Sequence, residues 1–307
     1  MGTPPITDDL ITRDAPSAFS NSLPLIIANW IKKVNLSLIC VTINVMAIFQ
    51  SFILGIIEGV TEFLPISSTG HLILASEILK ISKSDFLKSF EIIIQLGAIL
   101  SVVFLYWKAL FKIENIKKLF VAFLPTGIIG LTFYKVVKTY LLGNQQVVLI
   151  ALFLGGIALI LFEWFYKEPT QTPETSGETG NLSEISYKKS FWIGVCQSLS
   201  IIPGLSRSAS TIVGGLALGI KRKVIVEFSF LLAVPTMVAA SGLDLIKSAD
   251  TFSKDQFGIL SIGFIVSFIV ALFSIKFLLS FIRKRNFIPF GVYRIIIAIV
   301  FWFFIVS

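Results

Sequence analysis

The sequence predicts an all-α, polytopic integral membrane protein. It should contain two inverted-topology repeats, each a re-entrant helix pair followed by three transmembrane helices. Three observations carry this. Hydrophobic residues make up 55% of the 307 residues and charged residues only 14%, against about 25% charged in a soluble chain. Apolar runs of roughly 20 residues recur, each long enough to cross a hydrocarbon core of ~30 Å. Two polar segments, EGVTEFLPISSTGH (58–71) and PGLSRSAST (203–211), interrupt those runs, one in each half. The runs are continuous, unlike the short alternating segments of a transmembrane barrel.

Residues 1–35 are a polar, Pro-containing extension outside the repeats. No basic stretch precedes a clean apolar run there, which argues against a cleaved signal peptide. Met46 offers a second possible start. The first repeat spans 36–166. It reads as a helix over 37–63 broken near Pro65, a re-entrant tip at 64–71, a short helix over 69–80, and membrane helices over 88–107, 118–141 and 146–166. Residues 167–187 (KEPTQTPETSGETGNLSEISY) are rich in Pro, Thr, Ser, Gly and Glu, which predicts a flexible, solvated linker. The second repeat spans 188–307, with a helix over 189–202, a tip at 203–211 broken by Pro203-Gly204, a helix over 207–219, and membrane helices over 224–246, 256–280 and 288–306. The halves align: Gly55 with Gly194, Glu58 with Gln197 and, with one gap, Pro65 with Pro203 and Ser68 with Ser206.

A re-entrant pair returns to its own side, and three crossings then change sides, so the second repeat should sit upside down relative to the first. Loop charges bear on orientation. Thirteen basic residues (Lys108, Lys112, Lys117, Lys118, Lys167, Lys188, Lys189, Lys221, Arg222, Lys223, Arg283, Lys284 and Arg285) fall on the side read as cytoplasmic. Seven (Lys80, Lys83, Lys88, Lys135, Lys138, Lys247 and Lys254) fall opposite. Lys32 and Lys33 sit on the wrong side and lie in the extension. The net charge of +8 is thus a topology and lipid-surface signal, not a nucleic-acid one. Cys40 and Cys196, both in apolar sequence, imply neither a disulfide framework nor a zinc site.

Ionisable groups at membrane depth are costly and mark function. Glu58 and Glu62, four apart, share a helical face. Two close carboxylates in a low-dielectric site suit acid–base work or a hard divalent ion, Mg²⁺ or Ca²⁺; the plainer alternative is a structural polar cluster. Ser67, Ser68 and Thr69 either cap the next helix or place a hydroxyl at an anion-binding helix start. His71, the only histidine, suits proton transfer. Arg207 offers a planar fork for phosphate oxygens, flanked by Ser206, Ser208 and Thr211; the alternative is that it only neutralises Glu58 or Glu62. Glu91, Gln95 and Glu227 are weaker polar points on apolar helices.

These two segments resemble the signatures of the undecaprenyl-diphosphate phosphatase family associated with bacitracin resistance, and the similarity runs from about residue 48 to the C-terminus. The first segment matches almost throughout, and Gln197–Thr211 with EFSFLLAVP matches the second. Ala209 departs from it, standing where the family usually has glycine. The resemblance implies functional roles for Glu58, Glu62, Ser68, His71, Ser206, Arg207 and Thr211. It further implies hydrolysis of undecaprenyl diphosphate to undecaprenyl phosphate and inorganic phosphate. That reaction would occur in the bacterial plasma membrane, at a site open to the outer face. It recycles the lipid carrier for peptidoglycan and other envelope polymers, and so touches cell shape and antibiotic resistance. The expected mechanism has Ser68 attacking phosphorus, His71 as its base, and Arg207 on the phosphate oxygens; the alternatives are direct attack by water, with His71 or Glu62 as base and Ser68 only binding phosphate, and attack by His71 itself. Glu58 and Glu62 orient His71 or hold the ion. The expected partners are a polyprenyl diphosphate and the bilayer, with no organic cofactor and no nucleic acid. Oligomeric state is left open, a homodimer included. The rival reading is a transporter or flippase of a polyprenyl phosphate, because inverted repeats with broken helices also build carriers.

Overall fold

The computed structural model describes residues 47–141, 144–167, 182, 184–248 and 256–306. The chain divides into Met1–Ala47 and Ile48–Ser307, and the helices belong to the second unit apart from the first residue of α1. The expected extension 1–35 lies outside the described residues, as does the beginning of the helix expected from 37.

Ten helices run in order through the described residues: α1 (Ala47–Thr61), α2 (Ser68–Ile78), α3 (Asp85–Leu110), α4 (Ile113–Val136), α5 (Gln145–Phe165), α6 (Tyr187–Gln197), α7 (Arg207–Ala217), α8 (Arg222–Ser248), α9 (Phe257–Ile282) and α10 (Ile288–Val306). No strand occurs among the described residues. Five helices (α3, α4, α5, α8 and α9) are long and apolar enough to cross a membrane, and α10 carries a shorter apolar stretch over Ile288–Phe304. Large apolar side chains stand outward on them: Phe104 is 66% exposed, Leu131 73% and Phe273 67%. Such a continuous apolar exterior has hydrocarbon, not water, as its natural solvent. The protein is a multi-pass membrane protein.

The helices pack reciprocally. Gly55 of α1 lies against α9, where an added Cβ would come within 2.8 Å of the Gly263 carbonyl oxygen. Gly194 of α6 lies against α4, where the same atom would meet the Ala122 oxygen at 2.0 Å. The first helix of each half therefore rests on the fourth helix of the other. α3 packs on α8 and α5 on α10, pairing like-placed helices. The core between them is aromatic and aliphatic, with Phe63 of the first tip edge-on to Phe230 of α8 at 5.4 Å.

Two expectations about charge and linker are corrected. Lys118 and Arg222, assigned to loops, are buried. Lys118 donates to the Leu182 carbonyl at 3.0 Å. Arg222 forms a fork–fork pair with Glu163, which also accepts from the Phe287 backbone N–H at 3.0 Å, and its guanidinium lies over the Phe287 and Tyr166 rings. Their charges are taken up locally and contribute little to orientation. The end of the supposed linker is also packed. Leu182 and Ile185 are buried in the main core, because two apolar side chains in a polar segment are enough to anchor it.

Candidate active site

Each polar tip ends in a serine that caps a helix. Ser67 has φ 74° and its hydroxyl accepts from the Gly70 N–H at 3.4 Å. Ser206 has φ 81° and accepts from the Ala209 N–H at 3.2 Å. Positive φ is sparsely allowed for a residue with a Cβ and marks strain held by its surroundings. Both tips carry this strain at the same position relative to their helix. The halves therefore match Ser67 with Ser206 and Ser68 with Arg207, one residue away from the register expected from sequence. Ser68 and Arg207 are each the first residue of their helix, α2 and α7.

The facing tips enclose a polar pocket of about 150 Å³, lined by Glu62, Ser67, Ser68, Thr69, Gln95, Ser200, Pro203, Gly204, Ser206, Arg207 and Met237. That is smaller than the roughly 300–1,000 Å³ of a site holding a whole drug-sized ligand, and it suits a head group. Glu62, in the turn after α1, is the hub. One carboxylate oxygen accepts from Arg207 Nη2 at 3.0 Å, and the other accepts from Ser68 Oγ at 2.5 Å. Arg207 Nη1 donates to the Ser229 carbonyl at 2.8 Å, while Nε has no partner among the described residues. Glu58 is fully buried on α1, and no N–H donor meets its carboxylate oxygens among the described residues; its side-chain contact is with the Glu62 carboxyl. Glu62, Glu91 and Arg207 are the charged groups near enough to act on it.

Several side chains lie elsewhere than the motif spacing suggests. His71 does not meet Ser68 and does not line the pocket. Its Nδ1 bonds the Ser67 carbonyl oxygen at 2.7 Å, which requires Nδ1–H as donor. Its Nε2 is then the acceptor for the Tyr293 hydroxyl at 2.9 Å, and the two rings lie stacked at 5.5 Å. The helical turn that separates residues 68 and 71 does bring their backbones close, but the ring turns toward α10. Ser208 is held away from the pocket, donating to the Leu64 carbonyl of the other tip at 2.8 Å. Thr211 is fully buried and bonds the Arg207 carbonyl at 2.8 Å and Gln197 at 3.4 Å, so it braces α7 against α6. Ala209 sits in the first turn of α7, where a helix former is accommodated without strain. Of the weaker candidates, Gln95 lines the pocket, whereas Glu91 and Glu227 do not.

Residues that sequence reasoning passed over are Ser200, Met237, Tyr293 and Arg294. Arg294 alone left a signal: a charge within the apolar run of α10, IPFGVYRIIIAIVFWFFIV.

The model of the bacitracin resistance protein BacA family matches residues 51–300. The chain belongs to that family. Both tips fall inside the matched segment, and so does every lining residue of the pocket. The chain is also similar to proteins named undecaprenyl-diphosphatase. One from Aquifex aeolicus is 50% identical over 257 residues, covering 83% of this chain and 98% of that protein. One from Wolinella succinogenes is 51% identical over 261 residues, covering 85% and 99%. One from Campylobacter jejuni is 51% identical over 255 residues, covering 82% and 92%. A match across nearly the full length of each relative carries both tips together, which a shared membrane composition alone would not produce.

Proposed function

We infer that the protein hydrolyses undecaprenyl diphosphate to undecaprenyl phosphate and inorganic phosphate. The observation that carries this is the Ser68–Glu62–Arg207 chain at the meeting of the two tips. A hydroxyl in contact with a carboxylate is an activated nucleophile. A guanidinium beside it steadies phosphate oxygens. The names of the family's relatives supply the substrate. A carrier needs the arginine but has no use for a base bonded to a hydroxyl, so transport is the weaker reading.

In this reading the terminal phosphate enters the polar pocket, displacing Arg207 from Glu62 onto its own oxygens. Ser68 Oγ attacks the terminal phosphorus as Glu62 takes its proton. The bond to the bridging oxygen breaks, undecaprenyl phosphate leaves, and Glu62 releases the proton. Water then attacks the phosphoserine, Glu62 takes one water proton, the Ser68 Oγ–P bond breaks, and Ser68 recovers its hydrogen. The N-terminal N–H groups of α2 face the same phosphate and add favourable charge. Phosphoryl transfer depends mainly on such positioning and charge stabilisation. An apolar groove of about 370 Å³ between α5 and α10, lined by residues such as Leu149, Phe153, Ala298 and Trp302, provides a bed for an isoprenoid tail.

A divalent cation, Mg²⁺ or Ca²⁺, belongs to the proposal. Glu58 presents two buried oxygens that no N–H donor meets, and the Glu62 carboxyl lies against it. No group of three acidic, histidine or cysteine residues gathers among the described residues, so substrate and water would complete the oxygen shell a hard ion requires. Such an ion supplies neutralisation of phosphate charge. We further place the enzyme in the bacterial plasma membrane with the site open outward, on the crossing count and the loop charges.

Purified protein in detergent should release inorganic phosphate from a C55 diphosphate. It should lose that activity to a chelator and regain it with Mg²⁺ or Ca²⁺. No phosphate release under any ion condition would refute the hydrolase reading; full activity after chelation would remove the ion alone.

A further inference from the structure

Arg294 is fully buried on α10 and makes no salt bridge among the described residues. An isolated buried charge is costly unless every donor is met. Here all five are. Nε donates to the Leu152 carbonyl at 3.3 Å and Nη2 to the Ala151 carbonyl at 3.1 Å, both on α5. Nη2 also reaches the Gly204 carbonyl at 3.0 Å, and Nη1 reaches the Leu205 carbonyl at 3.0 Å. The last bond runs from Nη1 to the Pro65 carbonyl at 3.4 Å. Three of these five carbonyls belong to the two breaks, where regular helix has ended and the oxygens lack a helical donor.

The placement of those three matters more than their number. Pro65 lies three residues before Ser68, and Leu205 lies two before Arg207. One planar cation thus ties the segment that aims the hydroxyl to the segment that aims the guanidinium, and ties both to α5. Space for it is provided by Gly155, where an added Cβ would fall 2.1 Å from Arg294 Nη2. Lysine, with three donors on a single nitrogen, cannot meet all five carbonyls that the guanidinium satisfies across these three segments.

We propose that Arg294 is a positioning residue that sets the distance between Ser68 and Arg207 by clamping both re-entrant tips through their backbone carbonyls. It touches no reacting atom; its effect reaches the phosphate only through the tips. The proposal rests on the hydrolase reading above. Loosening the clamp leaves Arg207 able to bind the diphosphate but misaligns attack, so turnover suffers more than binding.

The test uses the full chain in detergent, with Arg294→Lys and Gly155→Ala, which crowds the guanidinium without removing it. Each should keep a monodisperse elution profile, lower kcat by about 100-fold, and leave KM within about threefold. A second readout needs no activity. With Cys40 and Cys196 replaced by serine, spin labels at Ile78→Cys and Ala217→Cys report the distance between α2 and α7. That distance should be single-valued with Arg294 and broadened in both variants. A wild-type protein without activity, with the broadening confined to the two variants, would sink the hydrolase reading and keep the clamp. Unchanged kcat together with an unchanged distance distribution overturns the clamp. So does loss of fold in both variants, since Arg294 would then be a general packing residue.

Discussion

Glu62 and Arg207 stand 145 residues apart in the chain and 3.0 Å apart in space. The contact joins the two tips, and in the proposed mechanism substrate opens it. The same Glu62 accepts from Ser68 Oγ at 2.5 Å, so a single carboxylate touches both the guanidinium and the hydroxyl that the proposed mechanism uses.

Ser68→Ala is expected to abolish phosphate release, by about 10³-fold or more, and no phosphoenzyme should be trapped. Glu62→Gln should lower kcat by about 10²–10⁴-fold, the usual range for removing a general base. Substantial turnover by correctly folded Ser68→Ala would transfer the nucleophile's role to water or His71.

Arg207→Lys keeps the charge but loses the fork. Truncating a buried, charge-assisted contact costs ~2–5 kcal/mol, or roughly 30- to 4,000-fold in kcat/KM. Near-normal activity at both low and saturating substrate would show that Arg207 only balances Glu62.

The Tyr293 hydroxyl occupies the acceptor nitrogen of His71. Tyr293→Phe frees that nitrogen but leaves the Nδ1 bond to the Ser67 carbonyl. If His71 serves only to hold the first tip, Tyr293→Phe should cost less than about tenfold, because it removes one neutral hydrogen bond. His71→Ala, which releases the Ser67 carbonyl, should cost more. A loss in Tyr293→Phe as deep as that in Ser68→Ala would put His71 Nε2 on the proton-transfer path.

A chain beginning at Met46 should insert and turn over normally. The family match starts at residue 51, beyond the polar N-terminal stretch, and 257 to 261 residues of this chain suffice to cover 98–99% of two relatives. Normal insertion with no activity would give residues 1–35 a role.

Orientation is tested by cysteine labelling from outside the cell. A probe at Ser248 should react and one at Ser176 should not. The reverse pattern would turn the protein over and close the site to the outside; reaction at both probes would overturn the inverted-repeat topology.

The class of this protein was legible in its composition, because a bilayer tolerates long apolar helices and little else. The helices from α2 to α10 lie within a few residues of where apolar runs and Pro or Gly breaks place them. Glu58, Glu62, Ser68 and Arg207 stood out for the same reason: polar groups at membrane depth are rare. What sequence could not supply was the partner of each. His71 is three residues from Ser68 yet bonds Tyr293, 222 residues away. Thr211 shares a motif with Arg207 yet turns its hydroxyl to the Arg207 backbone carbonyl and Gln197 and not into the pocket. Spacing along a helix sets which backbones are near, but a side chain's direction depends on what packs against it. Arg294 makes the point most plainly. Its sequence context shows only a charge in an apolar run. Its five carbonyl partners come from three segments that meet only when both halves have folded together.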